Sequence, residues 1–236
     1  MPISSVNRAL DAFAAALCVI TPALAILWVL SVPSRVGLLI YPEQMAAGML
    51  GAAMGVVYLR GQSGKGGARA ALDMALGLGS VGLGVYMFLR FPTLTEAAHL
   101  HETEALALGV VVTGLVMEGL RRVVGWTLVG IFAVLFLYAL FGDHVPGALV
   151  GRPIPLDEVL RYLGVDSTGT WGQALQIAAF VVVVFVLFGG MLIAVGGGDF
   201  FTQLALRVAG NGPGNTAKVA VAASALMGSV SGSAVS

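Results

Sequence analysis

Charge is what this sequence has least of. Asp, Glu, Lys and Arg make up only 10% of its 236 residues, against about 25% in soluble domains. A fold in water must present a wetted exterior. With 58% hydrophobic residues and a mean hydropathy of +0.96, a soluble globular domain is excluded and an exterior facing lipid is indicated. The few charges balance, 12 basic against 12 acidic. No basic face exists for nucleic acid. The single cysteine, Cys18, excludes an internal disulfide and any cysteine-based metal cluster. It lies in an apolar run, as a small packing residue does, and Leu17 stands before it where lipoprotein cleavage wants a small residue. Histidine is equally sparse: His99, His101 and His144. The first two form an i,i+2 pair among acids and read as part of a solvated loop, so no metal site is expected.

Because charges are rare, they punctuate the chain. A spanning helix needs about 20 mostly apolar residues. Uncharged runs fall between Asp11 and Arg35, Glu43 and Arg60, Asp73 and Arg90, Glu104 and Glu118, Arg122 and Asp143, and Asp166 and Asp199. They predict six transmembrane helices over about 10–32, 38–59, 71–90, 104–121, 123–142 and 173–195, and hence an all-α integral membrane protein. The first run is too long, and meets Asp11 too early, for a signal peptide. Loop 60–70 carries Arg60, Lys65 and Arg69 without an acid, and loop 91–104 carries Glu96, Glu102 and Glu104 without Lys or Arg. Basic residues favour the cytoplasmic side, so the N-terminus is expected inside and the 143–172 loop outside.

Gly51 and Gly55 form a small-xxx-small step in the second span, and Gly77, Gly79, Gly82 and Gly84 crowd the third. Small residues let helices approach closely in lipid. Glu118 stands three and four residues before Arg121 and Arg122, the spacing of helical ion pairs, and the three are expected as a structural pair at the membrane edge. In the outer loop, Leu156 to Leu163 predicts a short amphipathic helix, with Val159, Leu160 and Leu163 on one face and Asp157, Glu158 and Arg161 on the other. It reads as an interfacial connector or as a docking surface for an external partner.

The last 40 residues are the most informative. Gly196-Gly-Gly198 ends the sixth span, an amphipathic segment follows, and Asn211 to Lys218 is a turn by composition. Of the final 18 residues, 12 are Ala, Ser or Gly. A lipid-facing helix would carry Leu, Ile and Phe instead, so this run is expected inside protein. Its end, Gly228 to Ser233, is rich in hydroxyls. Two readings stand: a tightly packed helix whose serines bond their own carbonyls, or a half-helix ending near the midplane, where freed backbone and hydroxyl oxygens serve a cation.

These residues carry a resemblance. Gly214 to Ser233, with Ala217-Lys-Val-Ala-Val221 and Ser224-Ala-Leu-Met-Gly-Ser-Val-Ser-Gly-Ser-Ala234, closely resembles the large membrane subunit of TRAP (tripartite ATP-independent periplasmic) transporters. Val186-Leu-Phe-Gly-Gly-Met-Leu192 and Gly196-Gly-Gly-Asp-Phe-Phe201 are similar to the helix and turn before it. Glu118-Gly-Leu-Arg-Arg-Val-Val-Gly-Trp126 and Leu137 to Gly147 resemble the fused permeases, in which the small four-helix subunit and the large subunit share one chain and which accompany binding proteins of the TAXI type. The resemblance covers 104–236 well, and 1–103 only by helix pattern. It implies a four-helix small-subunit-like domain over 1–122, a fifth helix and external connector over 123–172, and the start of an elevator-type transport domain over 173–236. It also implies a bacterial inner-membrane symporter, driven by Na⁺ or protons, that takes up an organic anion, often a carboxylate, from an external binding protein. The segment 218–236 would be the first arm of a re-entrant hairpin. Ser231, Gly232 and Ser233 would lie at its tip near the ion and substrate sites, with Ser229 beside them. Family members continue well beyond this length, so the chain reads as an N-terminal fragment. It also departs from the family at Gly214-Asn215-Thr216, where paired glycines are common.

Two other classes remain to be weighed. An intramembrane serine hydrolase would want Gly-x-Ser-Gly, but Ser229 stands two residues before Ser231, and all three histidines fall in loops assigned outside. A serine without a base is a poor nucleophile, so no enzyme is expected. A non-transporting scaffold or assembly subunit would fit the four N-terminal helices, but not the hairpin sequence.

Overall fold

The computed structural model describes residues 3–60, 68–96, 102–209 and 215–231. Among these residues the chain is helical and contains no strand. The helices are α1 (Ile3–Val29), α2 (Val32–Arg35), α3 (Pro42–Arg60), α4 (Ala68–Glu96), α5 (Glu102–Val123), α6 (Trp126–Phe141), α7 (Leu156–Val165), α8 (Gln173–Ile177), α9 (Val183–Ala194), α10 (Gly197–Ala209) and α11 (Asn215–Ser231). A π-helical turn, Ala178–Val182, joins α8 to α9 into one apolar rod. Helix ends follow local chemistry. Pro42 opens α3 with its preset φ, and Glu43 follows in the first turn. Glu102 and Glu104 open α5 and Arg121 and Arg122 close it, each charge favoured by the helix dipole. Gly125 at φ +99° separates α5 from α6, and Gly196 at φ +86° separates α9 from α10; side chains rarely tolerate that conformation.

Five stretches are long and apolar enough to cross a membrane: Ala9–Val29, Ala68–Thr95, Glu102–Val123, Trp126–His144 and Gln173–Ala194. They correspond to five of the six expected spans. The remaining one is α3, about 28 Å long at 1.5 Å per residue but more polar at its start, where Pro42, Glu43 and Gln44 stand. Ten of its 19 residues are buried, because α3 occupies the middle of the bundle. On one side Ala52 and Leu59 pack with Ala14 and Leu17 of α1. On another, Met45, Ala46 and Met49 meet Ala25 of α1 and Ala179 of the π turn. There Trp28 stacks on Phe180 at 5.0 Å. Ala47 joins Met87, Phe91, Val112 and Trp171 in the main core.

Glycines set the closest approach. A Cβ added at Gly51 would lie 2.6 Å from the Gly84 Cα and the Ser80 carbonyl oxygen, and one at Gly77 would lie 2.7 Å from Leu59. The α3 and α4 backbones therefore touch, as small-residue packing allows. Gly79 and Gly82 have nothing within 4 Å of that position: they lie on the other face of α4, so only part of the expected glycine cluster packs.

The 143–172 loop is a built part of the bundle and more than a connector. Helix α7 lies so close on α5 that a Cβ at Gly109 would meet the Leu160 carbonyl, and one at Gly164 would come within 2.5 Å of the Gly109 nitrogen. Trp171 is fully buried, and its indole nitrogen donates to the Gly164 carbonyl at 2.8 Å. The Gln176 amide donates to the Trp171 carbonyl at 3.2 Å and to Glu43 at 3.3 Å, tying the loop to α3. By contrast α6 buries only Val129.

Candidate functional site

The segment leading into the expected hairpin arm (218–236) begins after α9 ends at Ala194, with the turn at Gly196. Helices α10 and α11 pack antiparallel: a Cβ at Gly198, at the start of α10, would meet Met227 near the end of α11 at 3.7 Å. Ala205 and Val219 are buried. The amphipathic pattern after Gly198 thus makes a helix, as expected, and Thr202 donates to the Gly198 carbonyl at 2.8 Å. The following small-residue run is one continuous helix that passes through Gly228 and reaches Ser231. A helical glycine costs only about 1 kcal/mol, so the Ser/Gly composition does not stop it. Ser229 and Ser231 fall in the last turn of α11. Gly232 and Ser233 lie outside the described residues, as do His99 and His101. His144 is exposed, with its Nδ1 2.6 Å from Asp143. Among the described residues no group of three or more His, Cys, Asp or Glu converges as a metal site would require.

A second constellation forms at one end of the bundle. Successive helices run antiparallel, so the end of α3, the start of α4 and the end of α5 meet there. The carboxylate of Glu118 accepts from Arg121 Nε and Nη2 and from Arg122 Nε, all at 2.7 Å. The structure thus brings together the three residues expected as a pair and adds two that the sequence did not mark. Asp73, 2% exposed, accepts from Arg122 Nη2 at 2.7 Å. Tyr58, fully buried, carries the Arg122 guanidinium 4.8 Å above its ring, and its hydroxyl donates to the Leu115 carbonyl at 2.5 Å. Arg121 lies 5.6 Å from the Trp126 ring. The remaining nitrogen of Arg122, Nη1, is buried and meets no hydrogen-bond partner. Removing one member of such a buried pair costs far more than the pair contributes, so the cluster locks α3, α4 and α5 in register. The signal that would have found Asp73 and Tyr58 is topological. Both stand within two turns of the helix ends that antiparallel connection brings beside Arg122.

Compared with known proteins, the chain matches one family model, the "Tripartite ATP-independent periplasmic transporter, DctM component", over residues 110–236. No curated protein and no solved structure compared with it gave a match. The match covers more than half of the chain. It begins within α5 and takes in α6 to α11, including the polar end of α5 and the antiparallel α10–α11 pair. The chain therefore belongs to the family of the DctM component of tripartite ATP-independent periplasmic transporters, multi-pass permeases of the bacterial inner membrane.

Proposed function

We propose that this chain is the membrane permease part of a secondary active symporter. It takes up an organic anion, in our reading a carboxylate, that an extracytoplasmic binding protein of the TAXI type delivers, and a Na⁺ or proton gradient drives the uptake. The family match over 110–236 carries this reading. Residues 1–109 precede the match and include α1, α3 and α4, packed on one another through glycine contacts. That arrangement supports a small-subunit-like domain fused ahead of the large component, with a boundary near 122. In this reading the bundle is a static scaffold, and the α10–α11 pair opens an elevator-type transport domain whose ion and substrate oxygens gather at Ser231, Gly232 and Ser233, with Ser229 near them. Helix α11 would be the first arm of a re-entrant hairpin. The six-span count includes α3, enclosed by α1, α4 and α5. The Lys/Arg distribution supports an N-terminus in the cytoplasm, which sets the Asp73–Arg122 end of the bundle on the cytoplasmic side.

The test is uptake by the permease with its binding protein, comparing Ser231→Ala and Ser233→Ala with the unaltered chain. The reading expects the apparent affinity for the coupling ion to weaken in at least one variant. Uptake and ion dependence unchanged in both would remove these serines from the site. A binding-protein-independent assembly with no uptake would favour the scaffold role instead.

A further inference from the structure

The charged end of the bundle encloses a cleft of about 660 Å³ lined by Val57, Arg69, Leu72, Asp73, Glu118, Arg121 and Arg122. This volume falls within the range of about 300–1,000 Å³ of small-ligand sites. Three guanidiniums face two carboxylates there, leaving one positive charge in excess. The ion pairs consume both carboxylates: Glu118 is held by Arg121 and Arg122, and Asp73 by Arg122. Arg122 Nη1 is buried with no partner among the described residues. Arg69 stands exposed on the first turn of α4, with no ion pair among the described residues. Both carboxylates are thus already engaged while one guanidinium nitrogen is left without a partner, and an uncompensated buried donor favours an incoming anion.

The cleft's position narrows the anion's identity. It sits at the ends of two stretches long and apolar enough to cross a membrane, Ala68–Thr95 and Glu102–Val123, where head groups would lie once a core of about 30 Å is crossed, and Val57 and Leu72, the latter 56% exposed, line it as well. A charged recess bordered by exposed apolar side chains suits an amphiphile with an anionic head. Basic pockets between transmembrane helices hold phospholipid heads in this manner. We propose that this cleft binds the phosphate of an anionic phospholipid head group, with Arg69 and Arg121 contacting the phosphate at the rim and Arg122 Nη1 donating from within. The assignment does not depend on transport activity.

The test is native mass spectrometry of the detergent-solubilised chain titrated with phosphatidylglycerol, phosphatidylcholine or inorganic phosphate. Preferential retention of phosphatidylglycerol is expected. Arg69→Gln and Arg121→Gln should each weaken it about five-fold, the factor for one basic residue at an anionic surface. Arg152→Gln, at an exposed arginine of the 143–172 loop, should leave it unchanged. Arg69 is exposed, so its variant folds and its melting temperature serves as the control. Equal retention of the two lipids, or an equal loss with Arg152→Gln, would overturn the proposal. Binding of inorganic phosphate that Arg69→Gln abolishes, without lipid preference, would overturn the lipid assignment in favour of a soluble phosphate.

Discussion

The contact between α3 and α4 can be tested one carbon at a time. In Gly51→Ala the new methyl would sit 2.6 Å from the Gly84 Cα, 2.6 Å from the Ser80 carbonyl oxygen and 2.9 Å from the Gly84 nitrogen. Favourable carbon contacts lie at about 3.5–4.0 Å, so the helices must part by roughly 1 Å. All three neighbours are backbone, and no side-chain rotation relieves them. Overpacking of this kind costs about 1–3 kcal/mol, partly offset by the better helix propensity of alanine, about 0.5–1 kcal/mol. The expected net loss is about 1–2 kcal/mol. At Gly55 the closest atom is the Val81 Cγ2, also at 2.6 Å, a side-chain methyl that yields at the cost of a less favoured rotamer and not by moving backbone, so Gly55→Ala should lose less. Gly79→Ala meets nothing within 4 Å and should gain about 0.5 kcal/mol from propensity alone. The assay is reversible unfolding in mixed micelles with increasing sodium dodecyl sulfate, followed by tryptophan fluorescence. The midpoints should rank Gly79→Ala highest, then the unaltered chain, Gly55→Ala and Gly51→Ala. A Gly51→Ala midpoint at or above that of the unaltered chain would refute backbone contact at this crossing.

The same assay reads other parts of the bundle. Asp73→Asn leaves Arg122 short of a charge partner in a buried setting and should cost about 3 kcal/mol, whereas the double variant Asp73→Leu with Arg122→Met should be less destabilised than Asp73→Asn alone; additive losses would contradict the coupling. Gly164→Ala pushes a methyl to 2.5 Å from the Gly109 nitrogen and should detach α7 from α5, measured as faster hydrogen exchange over 156–165 while exchange in α3 stays unchanged. Trp171→Phe leaves the Gly164 carbonyl without its donor and should lower the midpoint by about 1–2 kcal/mol; no change would show that the loop packs without that bond.

Much of this architecture was legible because charge is scarce. Each gap between charges longer than about 15 residues became a helix, with Gly125 breaking the chain near the start of one gap and Gly196 near the end of another. The pairing of Glu118 with Arg121 and Arg122 was readable because it is local, fixed by helical spacing. Asp73 was legible only as the edge of a span: its partner is 49 positions away, and the pairing depends on which helix ends share a face of the membrane. The glycines of α4 show the same limit. Gly77 and Gly84 share a helical face and Gly79 and Gly82 another, but composition does not say which face meets α3. The π turn at Ala178–Val182 left no trace in the apolar pattern, since Ala, Phe and Val suit either helix type. Helix α7 was recognised by its amphipathic period, yet its seat on α5 depends on two glycines, Gly109 and Gly164, far apart in sequence. The serine tip was read from composition and resemblance; Ser229 and Ser231 end α11, and the two residues after them lie outside the described chain.

The central claim is that the chain works as the permease of a binding-protein-dependent symporter. Its most direct test is solute accumulation in proteoliposomes holding the purified permease, with the extracytoplasmic binding protein added outside and an inward Na⁺ or proton gradient imposed. The account predicts accumulation of an organic anion that requires both the binding protein and one of the two gradients, and that collapses when the gradient is dissipated. Accumulation that persists without any gradient, or that proceeds equally well without the binding protein, would contradict it.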